Sequence, residues 1–185
     1  MELNKAIEKR RSVKKFTKKK PDWRDIIDAI DSARHAPMAG NKFNLKFILI
    51  DDVNKIDALA DAAQQPFVSG AHFIVVAVCD GDSTRKRFVD RGAMYCHQQS
   101  GAAIENFLLS LQDFGLSTTW VGHFFDNKVK EILGIPDNVD VEAMFPIGYE
   151  AKAMRTKKFK TGIDTIMRFN SYKNKEMQNT QSISA

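Results

Sequence analysis

The sequence of 185 residues is poor in cysteine and has no long apolar run. Its two cysteines, Cys79 and Cys96, stand in neither a CxxC pair nor a Cys/His ligand spacing, which argues against zinc and favours ordinary thiols in a reducing compartment. No apolar stretch approaches the ~18 residues of a membrane-spanning helix, and residues 1–5 lack the apolar core of a signal peptide. We therefore expect a soluble, cytoplasmic protein.

Two other signatures are missing. No Gly-x-Gly-x-x-Gly motif follows a predicted strand, and helices and strands do not alternate strictly, so a Rossmann dinucleotide site is not indicated. His35, His72 and His97 show no ligand spacing, so no metal is expected. What is present is an apolar content of 43% with 13 phenylalanines, which suits one globular domain with a real core.

Positive charge is concentrated in two segments. Residues 9–20 carry eight cations and no acid, and residues 152–160 carry five more, again without an acid. The rest of the chain holds 15 cations against 23 acids, so the formal charge of +5 describes two basic segments on an acidic body. This distribution favours a focused anion site, although residues 18–20 are expected to form a solvated face.

The spacing of apolar residues predicts both helices and strands, and hence an α+β fold. Helices are predicted around residues 3–7, from Asp22 to before Pro37, from Val53 to near Gln65, from about Tyr95 to Phe114, and from a capping Asp126 to Gly134. Strands are predicted over Leu45–Ile50, Phe73–Cys79, Ser117–Val121 and Val141–Tyr149. Residues 80–91 fit a surface excursion or a short exposed helix equally well.

Three of these elements carry further expectations. Leu45–Ile50 has two largely apolar faces and should be well buried, whereas Pro146 should place the last strand near a sheet edge. The helix from Tyr95 to Phe114 is so apolar that it forms either the core or the seam of a dimer. The apolar residues after Glu150 are too few for a core of their own and should pack on something else.

Four segments offer contacts for one ligand. The two basic segments supply arginine forks, lysine point charges and the Ser12 hydroxyl, all suited to a phosphate. The Pro37–Asn41 loop exposes backbone amides and the Asn41 carboxamide, which can contact the edge of a planar ring. Residues 115–122 combine glycines and hydroxyls with Trp120, as expected where backbone lies against a flat ligand, although Trp120 fits plain core packing equally well.

Five motifs in this order resemble those of the nitroreductase-like FMN-dependent oxidoreductases. Residues 6–16 are similar to their Arg-Arg-Ser-x-Arg/Lys-x-Phe signature, and residues 36–41 to their Ala-Pro-Ser-x-x-Asn loop. Residues 103–109 and 115–122 resemble their central helix and the strand after it. Ile147-Gly148-Tyr149, followed by a basic segment, resembles their Ile-Gly-Tyr-Pro and C-terminal phosphate contact. The resemblance covers roughly residues 3 to 170.

The resemblance implies a central mixed or antiparallel sheet flanked by helices, with a long central helix at a homodimer interface. It implies tight, non-covalent FMN, its phosphate gripped by the two basic segments and its pyrimidine edge near Lys14. A cation there stabilises the negative charge that hydride transfer creates. The implied FMN contacts are Arg10, Arg11, Ser12, Lys14, Pro37, Met38, Asn41, Trp120, Val121, Gly122, Arg155, Lys157 and Lys158.

The implied reaction is ping-pong. NADH or NADPH reduces the flavin and leaves, and a nitroaromatic, quinone or similar acceptor takes its place. The FMN-binding domain would span residues 1–172, with residues 150–172 packing on the partner and residues 173–185 forming a mobile tail. No catalytic side chain is assigned beyond Lys14 as a charge stabiliser, and His123 fits either a donor to substrate or a loop residue without a role.

Departures from the family pattern keep alternatives open. The family's Asn-x-Gln-Pro-Trp-x-Phe loses its Gln, Pro and Trp to Phe43, Asn44 and Leu45, while Met38 replaces a Ser and Gln99 an Asp. A narrower FMN enzyme, such as a dehalogenase or an enone reductase, and a flavin-binding protein with little reductase activity are the alternatives. The pI of about 9.2 also raises nucleic-acid binding, but the basic segments lack interleaved aromatic residues for base stacking.

Overall fold

The computed structural model describes residues 2–151 and 161–177. The chain divides after residue 153 into two compact units, of which the first contains the sheet and most of the helices. The helices are α1 (Leu3–Lys9), α2 (Trp23–Ala33), α3 (Val53–Ala63), α4 (Asp82–Arg87), α5 (Gly92–Asp113), α6 (Asp126–Leu133) and α7 (Ile163–Ile166). The strands are β1 (Leu45–Ile50), β2 (Phe73–Cys79), β3 (Ser117–Thr118) and β4 (Asp140–Gly148).

The strands form one antiparallel sheet in the order β1-β2-β4-β3. The two faces of β2 enter different apolar clusters because successive side chains of a strand point to opposite sides. Phe73, Val75 and Ala77 pack with side chains of α2 and α5, whereas Ile74, Val76 and Val78 pack with those of α3 and α6. The sheet therefore lies between two helical layers, which confirms the predicted α+β fold.

Two expectations about the sheet are wrong. In β1 the ends are buried, but Lys46 is exposed and residues 47–49 are only half-buried, because β1 is an edge strand with β2 as its strand neighbour. β4, by contrast, lies between β2 and β3. Pro146 fits there because Met144, two residues earlier, directs its N–H to Val121. Residues two apart in a strand direct their backbone nitrogens to the same side, so the nitrogen of Pro146 also points towards β3. It lies at the gap between Thr118 and Val121, where the pairing of β3 with β4 is interrupted.

The long helix α5 runs for 22 residues and buries one side against α2 and the sheet. Phe107, Ile104 and Leu111 are fully or almost fully buried on this side. Gly115 ends the helix region with φ of 73°, as its position predicted. Gly101 has open space beside it within the chain, because an added Cβ would meet no atom within 4 Å.

The predicted capping residue of α2 is confirmed, and that of α6 is wrong. The Asp22 side chain accepts a hydrogen bond of 2.9 Å from the backbone N–H of Arg24 and caps α2. Asp126 does not cap α6; it is the first residue of that helix, after Phe125 in the cap position. Residues 80–91 contain the short helix α4.

The second unit contributes α7, whose Ile163 and Ile166 are 69% and 66% exposed. The packing of residues 150–172 on a partner stays a prediction. Most of the predicted tail, residues 178–185, lies outside the described residues. Every helix within residues 2–151 and 161–177 is too short or too polar to span a bilayer.

Candidate flavin site

The first basic segment is held against the sheet by its backbone. Ser12 forms a parallel β-bridge with Thr118, and the Val13 N–H donates to the Thr118 carbonyl at 2.9 Å. Further along, the Thr17 N–H donates to the Tyr149 carbonyl at 2.8 Å. Val13 is buried while its neighbours Ser12 and Lys14 are exposed. This alternation anchors the segment through one face and leaves its polar face available.

Phe16 and Gly148 join two of the sequence motifs. An added Cβ on Gly148 would lie 2.9 Å from Cδ1 of Phe16, so only glycine allows the ring to rest directly on β4. Phe16 also forms a β-bridge with Glu150. The phenylalanine that ends the first motif and the glycine of Ile147-Gly148-Tyr149 are thus the two sides of one contact.

The cations of this segment have partners that are exposed or half-buried. Arg10 Nε lies 3.5 Å from Glu105 Oε1 on α5, and Arg11 pairs with Glu150. The ammonium of Lys14 lies 5.0 Å from the ring centroid of Phe67. Ion pairs with this much solvent contact contribute only about 0–1 kcal/mol, so an incoming anion can replace them.

Residues 118–122 lie directly beside this segment. Thr118 is 7% exposed, and its Oγ1 is buried without a hydrogen-bond partner among the described residues. Trp120 packs edge-on against Phe145, with ring centroids 5.5 Å apart, yet remains 44% exposed. Val121 is buried and pairs with Met144. Half of the Trp120 side chain is therefore available for a ligand.

The Pro37–Asn41 loop has a different construction. Gly40 and Asn41 both adopt left-handed backbone, with φ of 63° and 57°, and the Asn41 N–H donates to the Met38 carbonyl at 3.1 Å. The Ala39 N–H donates to Gln99 Oε1 on α5 at 3.2 Å. Asn41 itself is exposed, as a ring-edge contact requires.

Within one chain, the Pro37–Asn41 loop and the basic segment contact different parts of α5. The loop is bonded to Gln99, and the basic segment reaches Glu105, six residues later. Six helical residues correspond to about 9 Å of rise and a rotation of about 240°. The structure therefore groups Arg10, Arg11, Ser12 and Lys14 with residues 118–122, and it keeps Pro37, Met38 and Asn41 apart from them. Arg155, Lys157 and Lys158 lie outside the described residues.

The nitroreductase family model matches residues 7–67 and 60–149. The chain belongs to the nitroreductase family. This membership indicates an oxidoreductase of the flavin-using type. Among the described residues, no three His, Cys, Asp or Glu side chains form a cluster that could hold a metal ion.

Relatives of this nitroreductase-family chain match it along most of its length. The putative NADH dehydrogenase/NAD(P)H nitroreductase of Archaeoglobus fulgidus is 28% identical over 156 residues, which are 80% of this chain and 85% of that one. The crystal structure of a nitroreductase family protein from Clostridium novyi NT is 28% identical, with a TM-score of 0.74 over 94% of this chain and 96% of that one. The NADPH:FMN oxidoreductase from Vibrio harveyi, complexed with NAD+, shares the fold with a TM-score of 0.81 at 21% identity, over 95% of this chain and 79% of that one.

The residues that depart from the family pattern differ in their burial. Asn44 and Leu45 are buried, and the Asn44 amide donates to Thr84 Oγ1 at 2.5 Å. Phe43 is 42% exposed. Two of these three replacements therefore pack inside the protein, and Phe43 is the one that a ligand can meet.

Sequence reasoning missed two buried polar atoms, Thr118 Oγ1 and Gln99 Nε2, which have no partner among the described residues. It also missed that the two cysteines are neighbours. Burial, and after it the adjacent Cys96, raises the pKa of the Cys79 thiol to about 12, so this thiol is neutral and unreactive. Residue spacing carried no signal for any of these, because each depends on which elements pack together.

Proposed function

We propose that this protein is an FMN-dependent NAD(P)H oxidoreductase that acts in the cytoplasm as a homodimer. The observation that carries the proposal is the docking of the basic segment beside Thr118. The segment carries two arginines, a serine hydroxyl and Lys14, and its partner Thr118 stands two residues before the half-exposed Trp120. A phosphate at one end and a flat ring at the other would use all of these groups.

The residues present fit FMN. Thr118 Oγ1 is an orphaned hydroxyl beside Ser12, and an unused buried hydroxyl costs free energy unless a ligand or water pairs with it. Arg10 and Arg11 would exchange their carboxylate partners, Glu105 and Glu150, for the phosphate. Each arginine would then make a charge-assisted hydrogen bond to the phosphate, and such a bond contributes about 1.5–3 kcal/mol. Ser12 would add a hydroxyl donor.

FMN would supply the hydride chemistry, taking a hydride from NADH or NADPH and passing it to an oxidised acceptor. Lys14 would stabilise the negative charge that hydride transfer leaves at the pyrimidine edge. Trp120 would shield one side of the site from water. We propose ping-pong turnover, in which the nicotinamide and the acceptor occupy the same site in turn, with nitroaromatics, quinones or similar compounds as acceptors.

The separation of the basic segment and the Pro37–Asn41 loop on α5 supports the proposed homodimer. A second copy would bring its Pro37, Met38 and Asn41 to the basic segment of the first. The open side of Gly101 on α5 supports close approach of another backbone. Trp23 and Ile27 on α2, each 45% exposed, would add apolar contact area. We propose that residues 150–172, with Arg155, Lys157 or Lys158, complete the phosphate grip.

A narrower FMN enzyme, such as a dehalogenase or an enone reductase, is the second candidate. The exposed Phe43, where the family pattern has a polar glutamine, supports it because an exposed ring near Asn41 would change acceptor preference. Initial rates over nitroaromatics, quinones, enones and halogenated phenols separate the candidates. Comparable rates across classes support the general reductase, and a single active class supports the narrower enzyme.

The proposal is tested by the visible spectrum of freshly purified protein and by anaerobic mixing with NADH and NADPH. We expect flavin absorption, one FMN per chain, and bleaching by at least one nicotinamide. A yellow protein that neither nicotinamide bleaches would be a flavin-binding protein without reductase activity. A colourless protein that takes up no FMN, and that shifts an oligonucleotide in a strongly salt-dependent way, would instead be a nucleic-acid binder.

A further inference from the structure

A small cavity lies between the Pro37–Asn41 loop and α5. Its volume is about 270 Å³, and it is lined by residues 37–39 and by Tyr95, Gln98, Gln99 and Ala102. Ligand pockets for drug-sized molecules measure about 300–1,000 Å³, so this cavity suits a molecule of one or two rings rather than a dinucleotide.

The Gln99 carboxamide has one hydrogen-bonding atom in use and one to spare. Its Oε1 accepts from the Ala39 N–H at 3.2 Å. Because a backbone N–H can only donate, the oxygen must face Ala39, and the amide orientation is fixed. Nε2 is then left as a donor, buried without a partner among the described residues, on a side chain that is only 4% exposed.

The other lining groups restrict the ligand further. None of the described residues that line the cavity carries a formal charge, and Pro37, Met38, Ala39 and Ala102 present apolar surface. A charged ligand would lose its hydration there without gaining an opposite charge. A neutral, flat molecule with an acceptor oxygen would satisfy Gln99 Nε2 and keep the rest of its surface in apolar contact.

We propose that this cavity is the subsite for the acceptor's oxygen, and that Gln99 Nε2 selects neutral aromatic compounds with a nitro or carbonyl oxygen. The proposal rests on the proposed function, and it goes further by assigning a selecting residue. Gln99 has two roles here: Oε1 positions the loop, and Nε2 binds the ligand. Because Pro37 and Met38 are also proposed flavin contacts, the subsite would adjoin the flavin.

The two roles can be separated by substitution. Gln99→Glu keeps an oxygen acceptor for the Ala39 N–H and removes the donor. Gln112→Glu is the matched control, because it makes the same charge change on the same helix at a position outside the cavity. Nitrobenzene is the probe, and cumene, which has a similar shape without an acceptor oxygen, is the reference ligand.

The experiment measures nitrobenzene and cumene binding to the protein as purified by ligand-observed NMR. We expect Gln99→Glu to weaken nitrobenzene binding about tenfold, the effect of one lost hydrogen bond, and to leave cumene binding unchanged. Gln112→Glu should stay within about twofold of wild type. Equal nitrobenzene affinity in wild type and Gln99→Glu, or equal losses in both variants, would overturn the proposal.

A second measurement on wild-type protein does not depend on the folding of any variant. The side-chain NH₂ resonances of Gln99, assigned through their contact with the Ala39 amide, should shift on adding nitrobenzene and not on adding cumene. Unmoved resonances overturn the subsite. The proposed function is tested by other measurements: it is wrong if the protein binds no FMN, or if neither NADH nor NADPH bleaches the bound flavin. If nitrobenzene shifts the Gln99 resonances in a protein that is colourless, the cavity binds nitrobenzene through Gln99 as proposed. Only the proposed position of the cavity beside a flavin would then be wrong.

Discussion

The basic segment and the Pro37–Asn41 loop are proposed to contact the same cofactor, but the protein holds them in different ways. The basic segment is fixed by backbone pairing to Thr118 and Tyr149 and by the contact between Phe16 and Gly148. Its arginines pair with Glu105 and Glu150, which are exposed and half-buried, and we propose that a phosphate replaces these partners. The loop is uncharged from residue 37 to residue 41 and is bonded to α5 through the carboxamide of Gln99.

In the basic segment, the residues that anchor the chain differ from those proposed to bind the ligand. At the Pro37–Asn41 loop, one residue, Gln99, does both. Removing a cation from the basic segment should change binding and leave folding almost intact. Changing Gln99 should change loop position and ligand contact together. Each of the following predictions tests one side of this contrast.

The largest effect is expected for Gly148→Ala, which attacks the anchoring of the basic segment. The added Cβ would lie 2.9 Å from Phe16 Cδ1, so the ring must move off β4. Overpacking of this kind costs about 1–3 kcal/mol of the free energy of unfolding, which urea denaturation measures. Gly70→Ala is the control, because its Cβ would meet nothing within 4 Å. Equal stability of the two variants would show that Phe16 does not anchor the segment.

Arg10→Ala should weaken FMN binding by roughly 10- to 100-fold, because it removes a charge-assisted hydrogen bond to the phosphate. The free energy of unfolding of the apoprotein should change by less than about 1 kcal/mol, since the pair with Glu105 is exposed. Titration of apoprotein with FMN measures the affinity. Arg24→Ala, which removes an exposed paired arginine on α2, is the control. An unchanged FMN dissociation constant in Arg10→Ala would remove Arg10 from the site.

Lys14→Gln should slow flavin reduction by about tenfold, which corresponds to 1.36 kcal/mol of lost charge stabilisation. FMN content should remain close to that of wild type, because Lys14 is not proposed to contact the phosphate. Stopped-flow reduction by NADH or NADPH measures the rate constant. Lys15→Gln, the adjacent lysine, is the control. A rate constant that is the same in both variants would contradict the role of Lys14.

The last prediction concerns a region outside the site and serves as a baseline. Burial raises the pKa of Cys79 to about 12 from an ordinary value of 9.0, so the folded protein holds this proton more tightly than the unfolded chain does. The resulting stability is fully present below pH 9 and is lost as the pH rises towards 12. Wild type should therefore lose more stability than Cys79→Ala over this interval in urea denaturation. Parallel curves would mean that Cys79 does not titrate abnormally.

Local signals predicted the elements well, whereas strand order was beyond them. The helical spacing after Asp22 and the β-branched run of β2 depend on neighbours along the chain, and both predictions are confirmed. β1 has the composition of a buried strand, yet it lies at an edge, and Pro146 is in the inner strand β4. Strand order is decided by which helices cover which face, and no single segment encodes that.

The site divides in the same way. The Arg10–Lys14 motif and the Pro37–Asn41 loop could be located from the sequence because their chemistry lies in adjacent residues. Their separation on α5 and the spare donor of Gln99 could not, because both depend on the packing of distant segments. The contact between Phe16 and Gly148 has the same origin, and it explains why two motifs more than a hundred residues apart occur together.

The central claim is that FMN is bound between two copies of the chain, by the basic segment of one and the Pro37–Asn41 loop of the other. A mixed dimer of Arg10→Ala and Asn41→Ala chains tests it through the number of FMN molecules bound, at an FMN concentration that leaves either homodimer empty. If the site is shared, one of the two sites in the mixed dimer keeps both residues, and we expect one FMN per dimer. If the mixed dimer binds none, both residues belong to the same chain's site and the claim is contradicted.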